Sequence, residues 1–100
     1  MYLKEFFSKN NQELTLWLED INNKNEYADN DQNLPKNTLL EEHKGNIEKY
    51  LSLSKINHKY LTLVYCELVL YFNVKGNYEK SRQCFSRLLE LHRIIGYRSD

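Results

Sequence analysis

The 100-residue chain balances 14 Lys+Arg against 14 Asp+Glu, so no overall field draws it to nucleic acid or to an anionic membrane. Its length is that of one small domain with a single core, which hides roughly two-thirds of the unfolded surface. The neutrality conceals an asymmetry: residues 1–36 carry four Lys and seven Asp/Glu, a net of −3, and residues 37–100 carry ten Lys/Arg and seven Asp/Glu, a net of +3.

Cys66 and Cys84 sit in separate hydrophobic segments without Cys-x-x-Cys spacing, which fits a reducing, cytoplasmic setting better than a disulfide scaffold. The start, "MYLKEFFSKNNQ", lacks a cationic leader followed by an apolar stretch, so no signal peptide is expected. The longest apolar run, Tyr60 to Val74, is broken by Thr62, Glu67 and Asn73 and is too short for membrane insertion.

Residues 2–22 read as an N-terminal helical segment. Leu14, Trp17, Leu18 and Ile21 fall at i, i+3, i+4 and i+7, one apolar stripe of a helix, and Leu3, Phe6 and Phe7 continue it backward. Ser8-Lys9-Asn10-Asn11 interrupts the stripe. Either one long helix buries a polar turn, or Asn11 caps a second helix after a short first one; the break is the preferred reading. Residues 22–37, Asn-rich and containing Pro35, read as a flexible loop.

Residues 38–57 read as short helices. Thr38 and Glu41 have capping-box spacing, and Gly45-Asn46 is expected to form a turn, since glycine within a continuous helix costs about 1 kcal/mol relative to alanine. "YLTLVYCELVLYFNV" is long for a strand and lies between helical patterns, so a helix closed by a left-handed Gly76 is expected. A last helix runs from about Tyr78 to Ile94, with Tyr78, Ser81, Phe85, Leu88 and His92 on one face, Cys84 and Leu89 flanking it, and Gly96 as its end. The fold class is all-α, a small helical array within one domain spanning residues 1–100.

Residues 58–95 carry a more particular pattern. Tyr65, Leu68, Val69 and Phe72, then Ser81 and Phe85, together with the turn "KGNYEK" and the ending "LLEL", resemble one tetratricopeptide repeat over residues 62–95. Val69 and Leu88 are larger than that motif prefers, and no Pro follows the second helix. "KGNIEK" at 44–49 repeats the turn and leaves a second, degenerate unit open. The resemblance implies a helix-turn-helix that binds a peptide or helix along the first helices of its repeats. The residues so implied are Tyr65, Leu68, Val69 and Phe72, with Leu61 and Tyr71 adjacent. In length and build the chain is also similar to the small tetratricopeptide-like chaperones of bacterial type III secretion.

Apolar side chains surround the Tyr60–Val74 helix on nearly all sides, and a single helical hairpin cannot bury its own hydrophobic face. A partner chain, either another protein's helical segment, a second chaperone subunit or a homo-oligomer, is therefore expected to complete the cover. His43, His58, His92 and the cysteines lack metal-chelating spacing, and no nucleophile elbow, phosphate loop or paired-carboxylate arrangement is present. The sequence thus points to a protein-interaction module with no enzymatic activity, no cofactor and no metal. Two functions fit: a small cytoplasmic chaperone or adaptor shielding a partner's apolar helix, or a stand-alone immunity-type or inhibitor protein folded as a four-helix bundle. The cations of the last helix, set beside Tyr78 and Tyr97, weigh less as a nucleic-acid site than as a surface for an acidic protein.

Overall fold

A computed structural model describes residues 3–23 and 34–98. Among these residues the chain forms four helices and no strand: α1 (Leu3–Ile21), α2 (Leu34–Ser54), α3 (Tyr60–Lys75) and α4 (Tyr78–Arg98). The all-α expectation holds. The greater part of the expected 22–37 loop lies outside the described residues.

Three of the expected breaks do not occur, each for a local reason. α1 runs unbroken through Ser8–Asn11. Asn10 is buried in the apolar stripe, but its Nδ2 donates to the Phe6 carbonyl at 3.0 Å, so the polar side chain is satisfied within its own helix. α2 starts at Leu34, four residues ahead of the Thr38 box. Pro35 lies in its first turn, where the fixed φ suits a helix and the missing N–H has no helical acceptor to lose. α2 then passes straight through Gly45, so residues 38–54 form part of one helix and not a series of short ones. The cost of that glycine is offset by Leu40 and Ile47, buried on either side of it. Gly96 likewise lies within α4 and does not end it.

The turn at Gly76 is as expected. Gly76 has φ +85°, its N–H donates to the Asn73 carbonyl, and the Asn77 N–H donates to the Phe72 carbonyl at 2.9 Å, which closes α3. Asn77 then starts α4, its Oδ1 accepting from the Lys80 N–H at 3.2 Å.

A Cβ at Gly45 would meet nothing within 4 Å, and the same is true at Gly76. Gly45→Ala should therefore stabilise the protein by up to about 1 kcal/mol through helix propensity alone. Gly76→Ala should cost about 1–2 kcal/mol because its backbone is left-handed. Urea unfolding of both variants checks this; a less stable Gly45→Ala would restore the turn.

α3 packs against α2 on one side and α4 on the other, and α1 lies across them. Pairings between the helices set their directions. His43 and Asn46 of α2 meet Glu67 of α3, and Tyr50 stacks on Tyr60, so α2 and α3 are antiparallel. Lys9 pairs with Glu90, Glu13 with Arg87 and Asp20 with Lys80, so α1 and α4 are antiparallel. One continuous core contains Phe6, Trp17 and Ile21 of α1, Leu40 and Ile47 of α2, Leu61, Val64, Tyr65, Leu68, Tyr71 and Phe72 of α3, and Cys84, Leu88, Leu91 and Ile94 of α4.

Candidate functional site

The six residues expected to bind a partner lie mostly in the core. Leu61, Tyr65, Leu68, Tyr71 and Phe72 are at most 4 % exposed, and Val69 is half-buried against α4, its carbonyl accepting from Ser81 Oγ at 3.1 Å. The cover over Tyr65 comes from the chain itself. The Phe6 and Trp17 rings of α1 approach it edge-on, with centroids 6.0 and 6.4 Å away. These five buried residues are packing residues in this conformation, which corrects the expectation that they form an open groove.

The inner face of α4 is also turned from its expected setting. Ser81, Cys84, Leu88, Leu91 and Ile94 are buried, whereas Tyr78, Phe85, Leu89 and His92 are exposed. The reason is that α4 packs on two helices. Contact with α3 alone would centre burial between Ser81 and Phe85, but α1 on the other flank rotates the buried arc toward Leu91 and Ile94 by roughly 70°, at 100° per residue.

The α1–α4 seam also resolves the charge asymmetry of the sequence. Arg87 Nε donates to Glu13 Oε1 at 2.7 Å, Lys80 pairs with Asp20, and Lys9 Nζ lies 3.9 Å from Glu90 Oε1. Acidic residues of the first helix thus neutralise two of the cations of the last. All these side chains are roughly a third exposed or more, apart from Arg87 at 27 % and Glu90 at 30 %, so each pair contributes at most about 1 kcal/mol. An open groove of about 620 Å³ runs along this seam, lined by Leu16, Trp17, Asp20, Lys80 and Gln83 among others. Its Asp20 and Lys80 are matched to each other and Glu13 is taken by Arg87, which leaves Glu19 as its one carboxylate outside these pairs.

The opposite side of the α3–α4 layer is different. Leu63 is two residues before Tyr65, Tyr78 two before Lys80, and Phe85 and Leu89 stand two on either side of Arg87. A two-residue step turns about 200° around a helix, so each of these side chains points away from the residue that meets α1. Leu70 follows Leu63 by seven residues and lies on the same side. Leu63, Leu70, Tyr78, Phe85 and Leu89 are between 39 and 64 % exposed, and helical phase places each of them on the side of its helix turned away from α1, an apolar stripe on α3 and a second on α4. Leu63 and Leu70 are the places where the Tyr60–Val74 helix exceeds the cover its own chain gives it. A sequence signal for the α4 half existed: Tyr78, Phe85 and Leu89, at spacings of seven and four, form a second apolar row beside the buried one.

The two free thiols face away from nucleophilic chemistry. Cys84 is fully buried, and burial, then the nearby Glu13 carboxylate, push its pKa up to about 12. Cys66 is half-buried and its pKa is raised, by burial first and by Glu67 second. The Tyr65 hydroxyl is likewise held protonated, mainly by burial and then by Glu13. Arg87 is held charged chiefly by its hydrogen bond to Glu13. Among the described residues no group of three His, Cys, Asp or Glu side chains comes together as a metal site, and no helix is long and apolar enough to cross a membrane.

No family model matches the chain, and neither does any curated protein or solved structure.

Proposed function

We propose that this protein is a non-catalytic helical interaction module whose α3–α4 stripe shields an apolar helix of a partner protein, as a small cytoplasmic chaperone or adaptor does. The observation that carries this reading is the exposure of Leu63, Leu70, Tyr78, Phe85 and Leu89, which helical phase places on the sides of α3 and α4 turned away from α1. Scattered apolar residues are ordinary on a protein surface, whereas a continuous row suits a contact with another chain. A helix packed on this face would set anchors at successive turns against these side chains. The tetratricopeptide-like pattern of residues 62–95 and the likeness in size to type III secretion chaperones support a chaperone of that kind. The free, unactivated thiols support a reducing compartment and a non-catalytic role.

A second reading, a stand-alone immunity-type or inhibitor protein, is favoured by the core that α1 closes over Tyr65. The two readings differ in what the protein protects: an apolar segment of a client that is insoluble alone, or the working surface of a folded target.

The test is affinity capture from the native cell with wild-type protein and with Phe85→Glu/Leu89→Glu, followed by mass spectrometry of what co-elutes. A polypeptide retained by the wild type and lost with the double variant supports the module. Equal recovery by both proteins rules out the stripe as its binding surface.

A further inference from the structure

The charges around the stripe indicate which kind of helix it takes. Arg82 lies three residues before Phe85, Arg93 four after Leu89, and Lys59 four before Leu63, and all three are exposed. None of the three has a carboxylate partner among the described residues. Two further cations of α4, Lys80 and Arg87, are already taken by Asp20 and Glu13 of α1. The acidic side of the stripe is weak by comparison. Glu67, four residues after Leu63, is taken by His43 Nδ1 at 2.7 Å and by Asn46 Nδ2 at 3.2 Å. Glu79, exposed and outside any ion pair among the described residues, shares a shallow concavity of α4 with Arg82 and Ser86. Among the described residues, three cations without an ion-pair partner thus stand beside the exposed apolar side chains of α3 and α4, against the single carboxylate Glu79.

We infer, resting on the stripe reading above, that the occupant is an amphipathic helix whose apolar ridge is bordered by Asp and Glu. The ridge packs along Leu63, Leu70, Phe85 and Leu89, and the acidic border meets Arg82, Arg93 and Lys59. The apolar contact supplies most of the affinity, while the charges select the partner and its orientation by opposing a basic helix.

The experiment uses the full chain and two fluorescently labelled 18-residue synthetic helices with the same Leu/Ala ridge, one bordered by Glu and one by Lys. Fluorescence anisotropy gives the affinities. The Glu-bordered helix should bind about tenfold more tightly at low salt, an advantage that shrinks near 0.5 M salt as screening shortens to a few ångströms, roughly. Arg82→Glu/Arg93→Glu should reverse the preference, and Phe85→Glu/Leu89→Glu should abolish binding of both helices. Equal affinity for the two helices, lost in Phe85→Glu/Leu89→Glu, would leave the stripe reading standing and overturn the inference of an acidic partner. No binding, or binding that survives Phe85→Glu/Leu89→Glu, would overturn both. Sedimentation showing a wild-type dimer that Phe85→Glu/Leu89→Glu dissociates would assign the stripe to a second copy of the chain, and would also overturn the inference.

Discussion

Tyr65→Ala should destabilise the protein by about 3–5 kcal/mol, a large part of the 5–15 kcal/mol typical of a domain of this size. Tyr65 is 1 % exposed and is the α3 side chain on which both aromatic rings of α1 rest. Truncating it removes a large apolar volume at the junction of three helices, where no neighbour can collapse without drawing α1 inward past its ion pairs with α4. The loss should not be uniform. α1 is held by side chains meeting Tyr65 and α4, whereas α3 packs closely on both α2 and α4. The only tryptophan, Trp17, is buried against Tyr65, so its emission reports on α1 alone. In Tyr65→Ala the Trp17 emission should shift to the red at lower urea than the loss of helical circular dichroism. If the two transitions still coincide at the wild-type midpoint, Tyr65 is not what seats α1.

The second large effect is alkaline. The Cys84 pKa rises in the folded state from its ordinary 9.0 to about 12, so the neutral thiol is favoured by folding. That stabilisation is fully present below about pH 9 and is lost as pH climbs from 9 toward 12. In this window the unfolded chain has released a proton that the folded chain still holds. Stability should therefore fall by roughly 1–2 kcal/mol per pH unit from this one group. Tyr65, raised in the same direction by its burial, adds to the slope above its ordinary 10.0. Urea unfolding at pH 8, 9, 10 and 11 should give a visibly flatter decline for Cys84→Ala than for the wild type, because exposed lysines contribute equally to both. Parallel declines would mean that the Cys84 thiol is not sealed within the core.

Much of the architecture was legible from residue patterns. The all-α class, the α3 span, the Gly76 closure and the hairpin all follow from periodicity and turn chemistry. The misread boundaries share a cause: a residue type that favours a break was held in a helix by something the local pattern does not display. Asn10 finds its acceptor within its own helix, the cost of Gly45 is offset by neighbouring burial, and Pro35 occupies the one helical position that tolerates it.

The candidate site was harder to read because α3 is apolar nearly all round, so no amphipathic pattern says which side its own chain will cover. The placement of α1 decides it. Once α1 lies over Tyr65, the open side must be that of Leu63 and Leu70. The spacing of Lys9, Glu13 and Asp20 against Glu90, Arg87 and Lys80 encodes that placement, in charges 60 or more residues apart that only the folded chain brings together.

Whether the stripe is a surface or a part of the core is decided by the stability of Phe85→Glu/Leu89→Glu in urea. Both side chains are about half exposed, so the double variant should lose less than about 2 kcal/mol while keeping its helical spectrum and its Trp17 emission. A loss as large as that of Tyr65→Ala would show that Phe85 and Leu89 are needed to hold the helices together. It would leave the molecule without a free apolar face to offer a partner.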